Sequence, residues 1–342
     1  MPTSIANLWT PEVWIPQIDE LVRSFPSILS SPVVLRNPTF DEIATGPGVA
    51  VQMPYFKDIT DQADAIQVEN TQPARQIIGG GKQIATIMNR ESSNDWTALA
   101  VQVSGGDVEA ALYRQIAMKR LKQRQTTVVA ILRGLFNIAG APNETTAALY
   151  PNRYDAFSET GASPPAGQII DKDKFIDACA LLGERSTSLS GGVVLMHPNI
   201  RAALLKQDQI AFKHYSEQEG IELETYKGLS VFVSLALRRA GGTSGFVYDT
   251  YVAVPGTVAW GEKAQQGDVV DVASLSRWED KQKNNIEVYD RTRFTLHVGG
   301  TKWVGTPAGQ SATNTELAVA ANWGLDYQSA DRTGVICIRT NG

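Results

Sequence analysis

The sequence predicts an α+β fold on three observations: a helical signal of about thirty residues in the first half, a central block of short helices alternating with short apolar strands, and a long alternating strand near the end. At 342 residues, 43% of them hydrophobic and 20% charged, the chain is long enough for about two domains. That composition excludes collagen-like, coiled-coil and wholly disordered classes.

Taken in order, residues 1 to about 45 are proline-rich and carry Trp9, Trp14 and Phe25 with little core of their own. They read as an arm whose aromatics need a surface elsewhere, with a short helix expected around Glu12 to Ser24. Gly48 to Phe56 reads as a strand with Val49, Val51, Met53 and Tyr55 on one side, and Lys82 to Arg90 as a second strand. The connection between them, Lys57 to Gly81, is long, mostly polar and ends in three glycines. A connection of that length inside a domain is functional or mobile, and a lone two-stranded ribbon needs something to lie on. Folding back onto its own domain is the other reading of the loop.

Asp107 is a good N-cap for a helix running to about Asn137, with Val108, Leu112, Ile116, Leu121, Val128, Leu132 and Leu135 tracing one face. At 1.5 Å per residue it would reach roughly 45 Å. Between Arg114 and Arg133 the helix carries Arg114, Lys119, Arg120, Lys122, Arg124 and Arg133 and no acid. This basic stripe reads either as a face paired with acids from other segments or as a site of nonspecific nucleic-acid contact. Residues 140 to 170 are turn-rich and read as a surface crossing. Phe175, Ile176, Cys179 and Leu182 then form a helical face, Val193 to Met196 a buried strand, and Pro198 to Lys206 a helix, with strands following at 230–235, 245–254 and 257–260. Near the end, Ile286, Val288, Thr292, Phe294, Leu296 and Val298 alternate with polar residues, and a last strand spans 333–340. The closing strands are expected to pack on the long helix, so that both ends of the chain build one domain.

The charge balance, 31 Lys plus Arg against 36 Asp plus Glu for a net −5, excludes a protein whose main work is gripping phosphate. Cys179 and Cys337 are too few and too far apart for a disulfide framework and read as buried, reduced thiols. No signal peptide or membrane span is visible. Catalytic signatures are equally absent. His197, His214 and His297 have no metal-ligand spacing. Gly79, Gly80, Gly81 and Lys82 suggest a phosphate loop, but Gln76 stands where its first glycine belongs and Gln83 where its Ser or Thr belongs. There is no GxSxG elbow. An enzyme reading would have to use residues such as His197, Asp208 and Glu184, without a motif that brings them together. No cofactor is expected.

The order of elements, together with the phrases VAVQMPYFKDIT, VVAILRGLF, VLMHPNIRAALLKQD and ELAVAANWGLDYQ, resembles the tailed-bacteriophage major capsid proteins of the HK97 fold over nearly the whole chain. The resemblance implies an N-terminal arm at 1–45 and an extended E-loop hairpin at 46–92. It implies a peripheral domain at 93–170 and 269–342, containing a long spine helix, and an α/β axial domain at 171–268. It also implies a coat protein of the virion that assembles in the host bacterial cytoplasm into hexamers and pentamers of an icosahedral shell around double-stranded DNA. Trp9, Trp14 and Phe25 would make arm contacts, and Lys57, Asp58, Asp61, Gln67, Arg75 and Lys82 inter-subunit loop contacts. Arg114, Lys119, Arg120, Lys122 and Arg124 would make weak inner-surface DNA contacts. A separately encoded scaffolding protein, a portal protein and a decoration protein are the further partners implied. Some relatives weld the loop to a neighbour through a Lys–Asn isopeptide bond; Lys57 and Lys82 are the loop lysines here, with no rule that picks an Asn or Glu. An encapsulin-like compartment shell is the alternative within the same architecture.

Overall fold

A computed structural model of the chain describes residues 28–45, 48–59, 66, 67, 69, 72, 77–97, 108–141, 144–158, 160–161, 164–189, 191–207, 211–216, 222–240, 244–262, 275–280 and 284–341. Trp9, Trp14, Phe25, the helix expected around Glu12 to Ser24, Asp61, Arg75, the cap Asp107 and Asp208 lie outside the described residues.

Strands β1 (Val34–Arg36), β2 (Ala50–Phe56) and β3 (Gly80–Thr97) precede the long helix, with a short helix α1 (Pro38–Thr45) between the first two. The long helix is α2 (Val108–Leu135). After it come β4 (Arg153–Ala156), β5 (Thr160–Gly161), helix α3 (Lys172–Ala180), β6 (Val193–Met196) and helix α4 (Pro198–Gln207). A run of strands follows: β7 (Phe212–Ser216), β8 (Glu222–Tyr226), β9 (Leu229–Val233), β10 (Arg238–Ala240), β11 (Ser244–Ala253), β12 (Val258–Glu262), β13 (Leu275–Asp280), β14 (Asn285–Val298) and β15 (Thr301–Trp303). A one-turn helix α5 (Asn314–Leu317), β16 (Trp323–Leu325) and β17 (Val335–Thr340) complete the chain.

Two sheets result. In the first, β14 pairs antiparallel with β3 on one side and with β12 and β13 on the other; β1 joins β12 in parallel and β2 joins β3. Pro54 fits in β2 because that strand pairs on one side only, so the missing N–H breaks no ladder bond. The second sheet runs β4-β17-β11-β6-β9-β8-β7.

The long helix is close to its expected bounds, about 42 Å over 28 residues. It ends where Asn137 turns left-handed, with Ile138 N–H on the Arg133 carbonyl and Asn137 N–H on the Gly134 carbonyl, a Schellman closure using asparagine in place of glycine. Its first half covers the far end of the β3–β14 ribbon, where Ile116 packs with Trp96 and Val288. Its second half, Val128 to Leu135, is buried in the main core against Phe294 and Leu296 of the first sheet and Tyr251 and Cys337 of the second. The opposite face of the second sheet, with Val194, Met196, Val252, Ile336 and Ile338, packs on Phe175 of α3 and on Ile200 and Leu204 of α4. The second sheet is therefore the middle of three layers.

The helix end is also held by charge. Arg339 of β17 is fully buried, grips Asp155 of β4 with two nitrogens at 2.6 and 2.7 Å, and donates to the carbonyls of Ile138, Gly140 and Ala141. Arg153 donates to the carbonyls of Phe136, Asn137 and Glu144. Two guanidinium groups thus sit near the negative end of the helix dipole and fix the turn that follows it, residues 136–144, by its carbonyls.

Five expectations change. Residues 28–45 are part of the body rather than an arm: Ile28, Leu29, Val33 and Val34 are core residues, and β1 is a strand of the first sheet. Arg36 and Arg124 lie over the Trp260 ring, and Asp41 pairs with Arg36 and accepts from Glu262 N–H, which bolts this segment to β12. The sheets also cross the expected domain boundaries. Strands β4 and β17, expected in the peripheral domain, are neighbours of β11 or of each other in the second sheet, while β12, expected in the axial domain, belongs to the first. The hairpin does not end at 92 either, because β3 continues to Thr97 in register with β14. The expected surface crossing at 140–170 carries buried Leu149, Asn152, Arg153 and Ile170. Its polar residues serve the interior: Asn152 donates to the carbonyls of Ala330 and Val335. Of the helical face at 175–182, Ile176 is exposed and Cys179 only partly covered, because α3 lies at the edge of its core.

Removing the guanidinium of Arg339 leaves Asp155 buried without its main partner and takes the donor from the carbonyls of Ile138, Gly140 and Ala141. Arg339→Ala is expected to cost about 3–5 kcal/mol in denaturant unfolding of the unassembled chain. Arg339→Lys should recover only a minor part, since an ammonium cannot match the planar fork.

Candidate functional site

The feature that the fold leaves unfinished is the connection from β2 to β3. The ladder closes at Phe56 opposite Gly80, and Lys57 N–H still reaches the Gly79 carbonyl at 2.8 Å. Around and beyond that point, Phe56 is 83%, Ile66 89% and Ile77 78% exposed, with Ile59 and Ile78 also in solvent. Apolar side chains concentrated on one connection mark a contact surface rather than scattered exposure. The sequence reading had noted the loop as mostly polar and singled out its charged and amide residues; its isoleucines are the signal it passed over.

The hairpin root, by contrast, is anchored. Tyr55 Oη donates to the Asp326 carbonyl at 2.8 Å and its ring meets Tyr327 edge-on at 5.7 Å. Burial, together with the neighbouring Asp326, pushes the Tyr55 hydroxyl up to about 12. Arg332 pairs with Asp58 at 3.0 Å, and Gln328 donates to the Asp58 carbonyl at 3.1 Å. A cleft of about 860 Å³ opens beside this root, walled by Lys57 and Asp58 on one side and Glu184 and Arg185 on the other, with Tyr327 and Asp331 between. Of the loop residues expected to make inter-subunit contacts, Lys57, Asp58, Gln67 and Lys82 are exposed. Asp58 is engaged internally with Arg332, and Lys82 lies in β3 opposite Pro54.

The basic stripe on α2 divides. Arg120 pairs with Asp290 of β14, Arg124 with Glu262 of β12, and Arg133 lies 3.7 Å from Asp249 of β11. Arg120 and Arg124 therefore bind helix to sheet, and for these two the stripe is a face paired with distant acids. Arg114, Lys119 and Lys122 face solvent.

Of the enzyme-type candidates, His197 and His297 are buried in structural contacts. His197 is buried between β6 and α4, where its Nδ1 accepts from Asn199 N–H at 3.1 Å and its ring packs on Tyr248. Glu184 lines the hairpin-root cleft instead. His297 is buried and shares a hydrogen bond with the Gln83 side chain at 2.8 Å; burial pulls it down to about 4. His214 lies in β7. Burial raises Cys179 to about 11 and holds Cys337 well above the usual thiol range, so neither is an activated thiol. Among the described residues no group of three His, Cys, Asp or Glu side chains could hold a metal ion, and no described helix is long and apolar enough to cross a membrane.

No family model matches the sequence, and no curated protein matches it. Solved structures do match, over nearly the full length of both chains. The chain is similar to the capsid of Ralstonia phage GP4, with a TM-score of 0.60 at 10% identity, covering 100% of this chain and 98% of that one. It is similar to a chain of the cyanophage Pam1 capsid asymmetric unit, with a TM-score of 0.57 at 11% identity over 97% and 96%. A structure from Mycobacterium phage Che8 matches with a TM-score of 0.52 at 13% identity over 97% of each chain. The α+β architecture of this chain is the fold of phage capsid chains, the HK97-like class that the order of elements resembles.

Two buried groups give opposing pH signatures. Asp249 is fully buried without a hydrogen bond to either oxygen, and burial, opposed by Arg133, raises it from 3.8 to about 7. Between about pH 4 and 7 the fold keeps a proton that the unfolded chain releases, so this group's contribution falls as pH rises and is constant above 7. His297 stays neutral in the fold while the unfolded chain takes up a proton between 6.5 and about 4, so its contribution falls as pH drops. Relative to the native chain, Asp249→Asn should make stability climb more steeply from pH 4 to 6.5 and His297→Gln should make it decline, each by at most about tenfold in folding constant per pH unit. Unfolding midpoints at half-unit pH steps check both signs.

Proposed function

We propose that this chain is a major capsid protein that self-assembles into the icosahedral head shell of a tailed double-stranded DNA bacteriophage, a structural rather than a catalytic role. The observation that carries the proposal is the exposed apolar set Phe56, Ile59, Ile66, Ile77 and Ile78 on a hairpin connection. It stands in a chain whose fold matches capsid chains from end to end. A monomer gains nothing by exposing five large apolar groups on one protrusion, whereas a sibling subunit that covers them recovers the transfer free energy of each. Repeated around a ring, such head-to-tail contacts close into capsomers, and many modest contacts held at once make the lattice hard to leave.

In this reading the hairpin is the E-loop and α2 the spine helix. The virion is the place of action after assembly in the bacterial cytoplasm, with a separately encoded scaffold, a portal and a decoration protein as partners. Exposed Lys119 and Lys122 on α2 are the cations we assign to weak nonspecific contact with packaged DNA, on the same stripe as exposed Arg114.

Purified full-length chain, alone or with scaffold, is expected to form capsomers or shells visible by electron microscopy. A chain that stays monomeric with scaffold present would overturn the proposal, and particles that enclose protein cargo without DNA would move it to a compartment shell. For the stripe, Lys119→Glu with Lys122→Glu should lower DNA retention by full heads as salt rises while shells still form. Arg120→Gln and Arg124→Gln should instead lower thermal stability, because their partners Asp290 and Glu262 are largely buried.

A further inference from the structure

The hairpin root carries a set of contacts that the core does not require. At the point where the β2–β3 ladder closes, three hydrogen bonds and one aromatic contact come from a single distant loop, residues 326–332, more than 260 positions away in sequence. That loop is itself placed. Asp326 and Tyr327 both donate N–H to the Gly300 carbonyl, and Lys302 lies 3.5 Å from Asp326. Gly300 has φ +84°, and a Cβ there would overlap the Tyr327 ring, so only glycine gives both the turn and the seat for the ring. The hairpin answers with the same device: a Cβ on Gly81 would lie 2.6 Å from the Tyr55 ring, so Tyr55 lies across Gly81 of the facing strand. Two tyrosines, each seated on a glycine, meet edge to face.

We infer that Tyr55 and Asp58 are positioning residues for assembly. With Asp326, Gln328 and Arg332 they form a clamp that fixes the direction in which the apolar connection leaves the body. The inference rests on the proposed assembly role of the hairpin. The physical case is pre-organisation: a long connection aimed freely must give up its freedom at the moment of contact, whereas a root fixed in advance has already lost it. The Asp58–Arg332 pair is partly exposed, so it adds little to folding and acts through direction. Together with the Gln328 and Tyr55 bonds it holds the root at two positions, Tyr55 within β2 and Asp58 just past its end. A single contact would leave a swivel; two set an axis.

The test uses the full chain with Asp58→Arg, with Arg332→Asp, and with both changes, which restore an ion pair of reversed sense. Each single variant should keep its thermal midpoint within about 3 °C of the parent. Each should form shells at least fivefold more slowly by light scattering, and the double variant should return to within twofold. On the unassembled chain, spin labels at Ile78 and Thr126 should give a narrow distance distribution in the parent, a broader one in each single variant and a narrow one again in the double variant. Single variants that assemble at the parental rate would overturn the inference, as would distance distributions that neither widen nor recover. A parent chain that forms no shell would overturn the assembly reading instead, and the spin-label distances would still decide whether the clamp fixes the hairpin.

Discussion

The capture of one helix by two sheets is the constraint on which the rest of the molecule depends. Helix α2 lies with its first half on the β3–β14 ribbon and its second half in a core shared by both sheets. The turn that follows it is held by Arg153 and Arg339, side chains from β4 and β17 of the second sheet. Because Arg120 and Arg124 bind the same helix to β14 and β12, the helix is held by opposite charge at successive turns along its length. The two sheets therefore have little freedom to move independently, and the ribbon that leaves the first sheet does so from a fixed platform.

That platform explains why the hairpin can carry exposed isoleucines without collapsing onto its own body. The root is tied by Tyr55, Asp58 and the 326–332 loop, and Phe56, Ile66, Ile77 and Ile78 beyond or beside it stay exposed. The N-terminal segment follows the opposite logic. Residues 28–45 are absorbed into the first sheet, with Trp260 held between Arg36 and Arg124, so whatever precedes residue 28 starts from a defined position on the body.

Much of this was legible in the chain. The long helix, its stop at Asn137, the β2–β3 hairpin and the alternating strand at 285–298 follow from periodicity and turn chemistry, which are local. The partition between sheets was not legible. Nothing local tells that the last strand, Val335–Thr340, sits beside Arg153–Ala156, because the reason is a row of Asp249, Arg339 and Asp155 brought together from three distant segments. The basic stripe failed in the same way. Six cations without an acid look unspent in sequence, yet the acids that face Arg120, Arg124 and Arg133 lie more than a hundred positions further on. The hairpin site was half legible: loop length drew attention to it, but the isoleucines were hidden among polar neighbours and become evident only once their exposure on one connection is seen together.

The central claim is that sibling chains cover the apolar hairpin connection. Thiol labelling of Ile66→Cys and Ile77→Cys variants, compared between unassembled chain and purified particles, tests it most directly. The account predicts fast labelling of both positions in the free chain and strong protection in particles. Equal labelling in the two states, or protection already complete in the free chain, would contradict it.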